Sequence, residues 1–134
     1  EADAPAVMEL LRQRGVGIEA GLATTVDAER FVALADHNRV LRILIEIDIQ
    51  DLSRALDEAH GIAAVLERAD LRRPILLHGV DATVWSFVQL AHQKRWSTRV
   101  GLEDGRTLAD GTVAKDNAEI VAAAAAVFRS AHVG

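Results

Sequence analysis

The sequence predicts an α/β fold built on a parallel sheet, and three observations carry that reading. Segments with helical apolar spacing alternate with short β-branched runs along the chain, the pattern of right-handed βαβ crossovers. Half of the residues are hydrophobic but only 4% are aromatic, so the core is made of Ala, Val, Leu and Ile, as in helix-covered parallel sheets. Each strand candidate carries an ionisable residue in or near its last positions. Parallel strands bring their carboxyl ends to one side, where such folds build their sites.

Length and charge narrow the function classes. The 134 residues suffice for one domain with a real core, and no Ser/Gly linker or composition break divides them. The formal charge is −5 with acidic and basic residues interspersed, which argues against nucleic acid and anionic membrane as partners. The absence of cysteine removes disulfides and thiolate metal sites. The apolar run that ends at Phe128 falls far short of the roughly 20 residues of a membrane span. The acidic, amphipathic amino terminus does not read as a signal peptide, so the expected location is cytoplasmic.

Taken in order, Glu1–Arg14 reads as a helix, with Val7, Leu10 and Leu11 on its apolar side and Gly15 as its stop. Val16–Leu22 reads as a strand carrying Glu19 between glycines. Thr25 suits the N-cap of a second helix, with Phe31, Val32 and Leu34 as its apolar side. Val40–Ile47 is the clearest strand, with Ile43, Ile45 and Ile47 on one face, Arg42, Leu44 and Glu46 on the other, and Asp48 just beyond. A long helix follows over Asp51–Ala69, with Leu52, Leu56, Ala59, Ile62, Ala63 and Leu66 as its stripe and His60 near solvent.

Pro74–Gly79 is a short apolar strand that ends in His78. A lone histidine there is more often a hydrogen-bonded structural residue than a ligand. Thr83 starts a helix through Val84, Phe87, Val88 and Leu90, with Trp85 set to cover a neighbour. Ser97–Asp104 reads as the fourth strand. Its alternation puts Arg99, Gly101 and Glu103 on one face, with Gly101 leaving room for a ligand and Asp104 beside Arg99. Leu108–Gly111 is a turn and Asn117–Ala131 an alanine-rich helix. Structural ion pairs also gather charges at strand ends, so this cluster reads either as a site or as a salt-bridged rim.

Three blocks resemble a known family: Leu77-His78-Gly79 with Ala82-Thr83-Val84-Trp85, then Ser97 to Asp104, then Asp116-Asn117-Ala118-Glu119. They look like the carboxyl-terminal half of the β-keto acid cleavage enzymes (3-keto-5-aminohexanoate cleavage enzyme-like), which are zinc-dependent (β/α)8 barrels. The Gly17–Leu22 segment is similar to their fifth strand. The resemblance implies a parallel (β/α) barrel of TIM type, of which residues 1–134 supply a single unit like strands five to eight.

The resemblance also implies roles at matching positions. Glu103 would be a zinc ligand, and Arg99 and Asp104 would belong to the catalytic machinery. The family joins a β-keto acid with acetyl-CoA and yields acetoacetate and a new acyl-CoA. Zinc would polarise the keto oxygen, Arg99 would orient a carboxylate or stabilise an oxyanion, and Asp104 would move a proton or hold the arginine. Glu19, Glu46 and His78 would line the site. Gly79 and Gly105 lie where barrels often bind phosphate, here that of a CoA thioester. The family's other zinc ligands form a His-x-His pair, and the histidines at 37, 60, 78, 92 and 132 contain none. A half-barrel exposes sheet edges and apolar faces such as Ile43, Ile45 and Ile47, so a homo-oligomer or an amino-terminal half is the expected partner. Against the enzyme stand a flavodoxin-like binding module, which leaves Arg99 and Glu103-Asp104 unexplained, and a non-catalytic scaffold.

Overall fold

The computed structural model describes residues 3–130. Glu1, Ala131 and His132, which the sequence reading assigned to helix ends or counted among the histidines, lie outside the described residues. The elements are α1 (Ala4–Gln13), β1 (Glu19–Leu22), α2 (Thr25–Val32), β2 (Arg42–Glu46), α3 (Leu52–Arg68), β3 (Ile75–His78), α4 (Val84–Lys94), β4 (Ser97–Thr98) and α5 (Asn117–Ser130). The four strands form one sheet in sequential order, every neighbouring pair parallel, as the alternation predicts.

Strand parity decides which residues the helices cover. Ile43 and Ile45 pair with Ile75 and Leu77, and paired residues in a parallel sheet point to the same side. Ile43, Ile45, Ile47 and Leu77 are buried beneath the helices. The expectation that these isoleucines lack cover is therefore wrong. The opposite face, with Arg42, Leu44 and Glu46, stays open to intermediate or full exposure. The uncovered apolar surface instead includes Val7 and Leu10 on α1, which buries no residue at all.

The helices begin where short polar side chains meet orphan N–H groups. Thr24, rather than Thr25, caps α2 in a reciprocal box with Asp27, which frees the Thr25 N–H to donate to the Glu58 carboxylate on α3. Asp51 caps α3 through the Arg54 N–H at 2.9 Å. The α3 stripe buries Ala59, Ile62 and Leu66 as expected and adds Ala55 and Val65, while Leu52 is exposed. His92 of α4 meets Phe128 of α5 edge-on at 4.9 Å.

The fourth strand is much shorter than its sequence suggests. Pairing stops after Thr98, whose partner is Leu77, and residues 99–101 leave the sheet before a turn over 102–104. Asp104 N–H donates to Gly101 C=O at 3.0 Å and closes that turn. Arg99, Gly101 and Glu103 therefore do not share a strand face. Among the described residues no helix is long and apolar enough to cross a membrane.

Candidate functional site at the strand ends

The carboxyl ends of β2, β3 and β4 gather Glu46, His78 and Arg99 on one rim. Glu46 and His78 are register partners, and the Arg99 guanidinium reaches over to Glu46 at 3.7 Å. Both members of that pair are about half exposed, at 46% and 54%. Glu19 does not join them. It opens β1 rather than ending it, and it ion-pairs with Arg42 at the start of β2. That pair lies four residues below Glu46, about 13 Å along the strand.

Beyond the end of β1, the rim is acidic. An open cleft of about 600 Å³ is lined by Gly21, Leu22, Ala23, Asp27, Glu46 and Asp48, together with Ala4 of α1. Asp27 sits there with its carboxyl below the usual range. Burial acts in the opposite direction, but the Thr24 hydroxyl and the N–H groups of Ala23 and Thr24 outweigh it. The Asp27 carboxylate is thus occupied with the α2 cap.

The other side of the rim is closed. His78 and Asp104 are both buried, with side chains 5% and 9% exposed, and Nε2 lies 2.8 Å from Oδ1. The separation is within hydrogen-bond range. Both ring nitrogens and Asp104 Oδ2 are buried without a hydrogen-bond partner among the described residues. At 2.8 Å the two buried groups face each other, and each is the polar neighbour that offsets the cost of burying the other. Asp104 therefore pairs with His78, not with Arg99 as its sequence position suggested.

The Glu103 turn is clamped from several directions. Asp104 C=O accepts from the Asp81 N–H at 2.6 Å, and Leu102 N–H donates to Asn117 Oδ1 at 2.8 Å. Asp116 accepts from the Glu119 N–H at 2.9 Å, while the Glu119 carboxylate accepts from the Lys115 N–H at 2.7 Å. The Asp-Asn-Ala-Glu motif thus caps α5 through Asp116, reaches back through Glu119 to the Lys115 N–H, and grips the turn through Asn117. Trp85 Nε1–H reaches Thr107 C=O at 2.7 Å and pins the loop that follows. Glu103 itself is exposed, and its carboxylate lies over Gly101, where a Cβ would collide with it. The space above Gly101 is taken by the Glu103 carboxylate.

Gly79 is likewise explained by close packing. A Cβ there would stand 2.6 Å from Thr83 Oγ1 and 3.1 Å from the Phe87 ring. Thr83 in turn accepts from the Val80 N–H and donates to Val80 C=O, each at 3.0 Å. Gln50 ties this loop to the end of β2, donating to Asp48 and Val80 carbonyls and accepting from the Ala82 N–H. No local sequence pattern announces Gln50, because its partners come from a different strand end.

A protein-family model described as beta-keto acid cleavage enzyme matches residues 48–133, well over half of the chain. The chain belongs to that family. No match was found among curated proteins. His78, Arg99, Glu103 and Asp104 all lie inside the matched span, whereas Glu19 and Glu46 precede it. The residues of this beta-keto acid cleavage enzyme relative fit a divalent metal only as one contributor. Glu103 offers an exposed oxygen donor, but among the described residues no three His, Asp or Glu side chains gather into a metal-binding group.

Proposed function

We propose that the chain carries the carboxyl-terminal half of a zinc-dependent β-keto acid cleavage site, which converts a β-keto acid and acetyl-CoA into acetoacetate and an acyl-CoA. The family match across the Arg-x-Gly-x-Glu-Asp segment is the observation that carries this reading. Glu103 is the ligand that this half lends to zinc, and zinc supplies Lewis-acid polarisation of the keto oxygen.

Arg99 binds the substrate carboxylate. Its guanidinium is half exposed and held loosely by Glu46 across 3.7 Å, so an incoming carboxylate competes for it on near-equal terms. Asp104 takes part in proton transfer, or it fixes the geometry of the Glu103 turn. The buried contact with His78 favours the second role in the arrangement described.

The remaining ligands come from an amino-terminal half whose four further strands close the barrel, since a second copy of the chain brings no His-x-His pair. The open face with Leu44 and Glu46 and the half-exposed Val7 and Leu10 of α1 support such a partner. We assign the protein to the cytoplasm, in keeping with its small-molecule substrates.

The test uses the full-length protein and measures bound zinc together with turnover of β-keto acids with acetyl-CoA. Glu103→Gln should lose both zinc and turnover. Asp104→Asn should keep zinc and slow turnover. Stoichiometric zinc in the parent protein supports the enzyme. No zinc and no turnover favour a scaffold, and full activity in Glu103→Gln removes the proposal.

A further inference from the structure

His78 is the buried titratable residue that the proposed reaction leaves without work. It closes β3, is 4% exposed, and faces Asp104 across 2.8 Å. Its two ring nitrogens and Asp104 Oδ2 are the buried side-chain polar atoms without a hydrogen-bond partner among the described residues. An enclosed imidazole beside an enclosed carboxylate is costly unless the two satisfy each other. Asp104 is also the last residue of the turn that carries Glu103. Whatever holds the Asp104 side chain therefore fixes one end of that turn.

We propose that His78 is a positioning residue: its Nε2–H holds Asp104 Oδ1, and through it the Gly101–Asp104 turn keeps Glu103 at the mouth of the sheet. The backbone bond from Asp81 and the Asn117 grip on Leu102 hold the same turn at two other points, but neither touches the Asp104 carboxylate. His78 is the group that does. The consequence for turnover rests on the proposed function above, whereas the consequence for the turn does not.

The test is amide hydrogen exchange on the full-length protein, combined with steady-state kinetics. His78→Leu keeps the bulk of the ring and removes the donor. It should lower protection of the amides of residues 101–105 by about tenfold, leaving those of α3 unchanged. Asp104→Ala should do the same, and the double variant should lose no more than either single one. His78→Gln, whose side-chain amide can donate from near the Nε2 position, should recover most of the protection.

Where the parent protein turns over a β-keto acid, His78→Leu should lower kcat per folded, zinc-loaded enzyme by about tenfold to a hundredfold. KM should stay within about twofold, and His78→Gln should restore kcat. Protection within about twofold of the parent in His78→Leu, or additive losses in the double variant, overturns the proposal. So does a His78→Leu enzyme whose kcat is intact. If the parent protein has no turnover, the proposed reaction fails, and the exchange cycle still decides the role of His78.

Discussion

Glu46 and His78 are register partners on neighbouring strands, on the same side of the sheet and at the same height. Their side chains nevertheless differ from 54% to 5% exposed. Nothing in either strand accounts for this. The difference comes from the next connection along: β1 ends beside Glu46 and leaves an open cleft, whereas the turn after β4 brings Asp104 against His78. One rim therefore carries two kinds of polar contact. The Glu46–Arg99 pair is hydrated and exchangeable, which suits recognition of an anion. The His78–Asp104 pair is enclosed and suits holding a turn in place.

The largest effect tests the parity beneath this comparison. Ile45 points away from Glu46 and is fully buried, so Ile45→Ala should cost about 2–5 kcal/mol in urea unfolding. Leu44→Ala, on the open side, should cost well under half as much. Equal losses would mean that a partner covers the open face in the assembled protein, and would sharpen the case for a second half-barrel.

Next comes the closed pair. Asp104→Ala leaves a buried imidazole without its partner and should lose about 1–3 kcal/mol. A loss within experimental error would break the contrast with Glu46.

Asn117→Ala removes the acceptor for Leu102 N–H at 2.8 Å. The expected loss is about 0.5–1.5 kcal/mol, with faster hydrogen exchange at Leu102 as the local readout.

The smallest effect belongs to the open pair. Glu46→Gln should change stability by less than about 1 kcal/mol, and any loss should shrink in high salt, because both partners are hydrated. In an active enzyme the same variant should instead alter KM for the keto acid, since it frees Arg99. A salt-independent loss of several kcal/mol would show that Glu46 is buried in the working assembly.

Much of the fold was legible because its signals are local. The β-branched run over residues 40–47 announces a strand and its two faces, and the period of α3 announces its buried side. Regular alternation then leaves sequential parallel pairing as the natural topology. The motif residues were legible for a related reason, since Arg99, Glu103, Asp104, Asn117 and Glu119 lie in two short blocks. Asp116 and Glu119 entered through the resemblance alone, and their role in capping α5 came from the structure.

What only the tertiary structure decided was the company those residues keep. The sequence by itself determined that a charged block follows the last strand. It did not determine that the strand stops at Thr98, because Val100 and Leu102 alternate as a strand would. The turn wins because Asn117, Asp81 and His78 bind its backbone and side chain from three other places in the chain. Glu19 reads from sequence as a rim carboxylate, yet β1 starts there, and Arg42 across the sheet takes it. Strand parity and helix period follow from neighbours one to four residues away. The partner of a rim side chain is chosen by whichever connection lands on it, and that depends on residues some 15 to 50 positions distant.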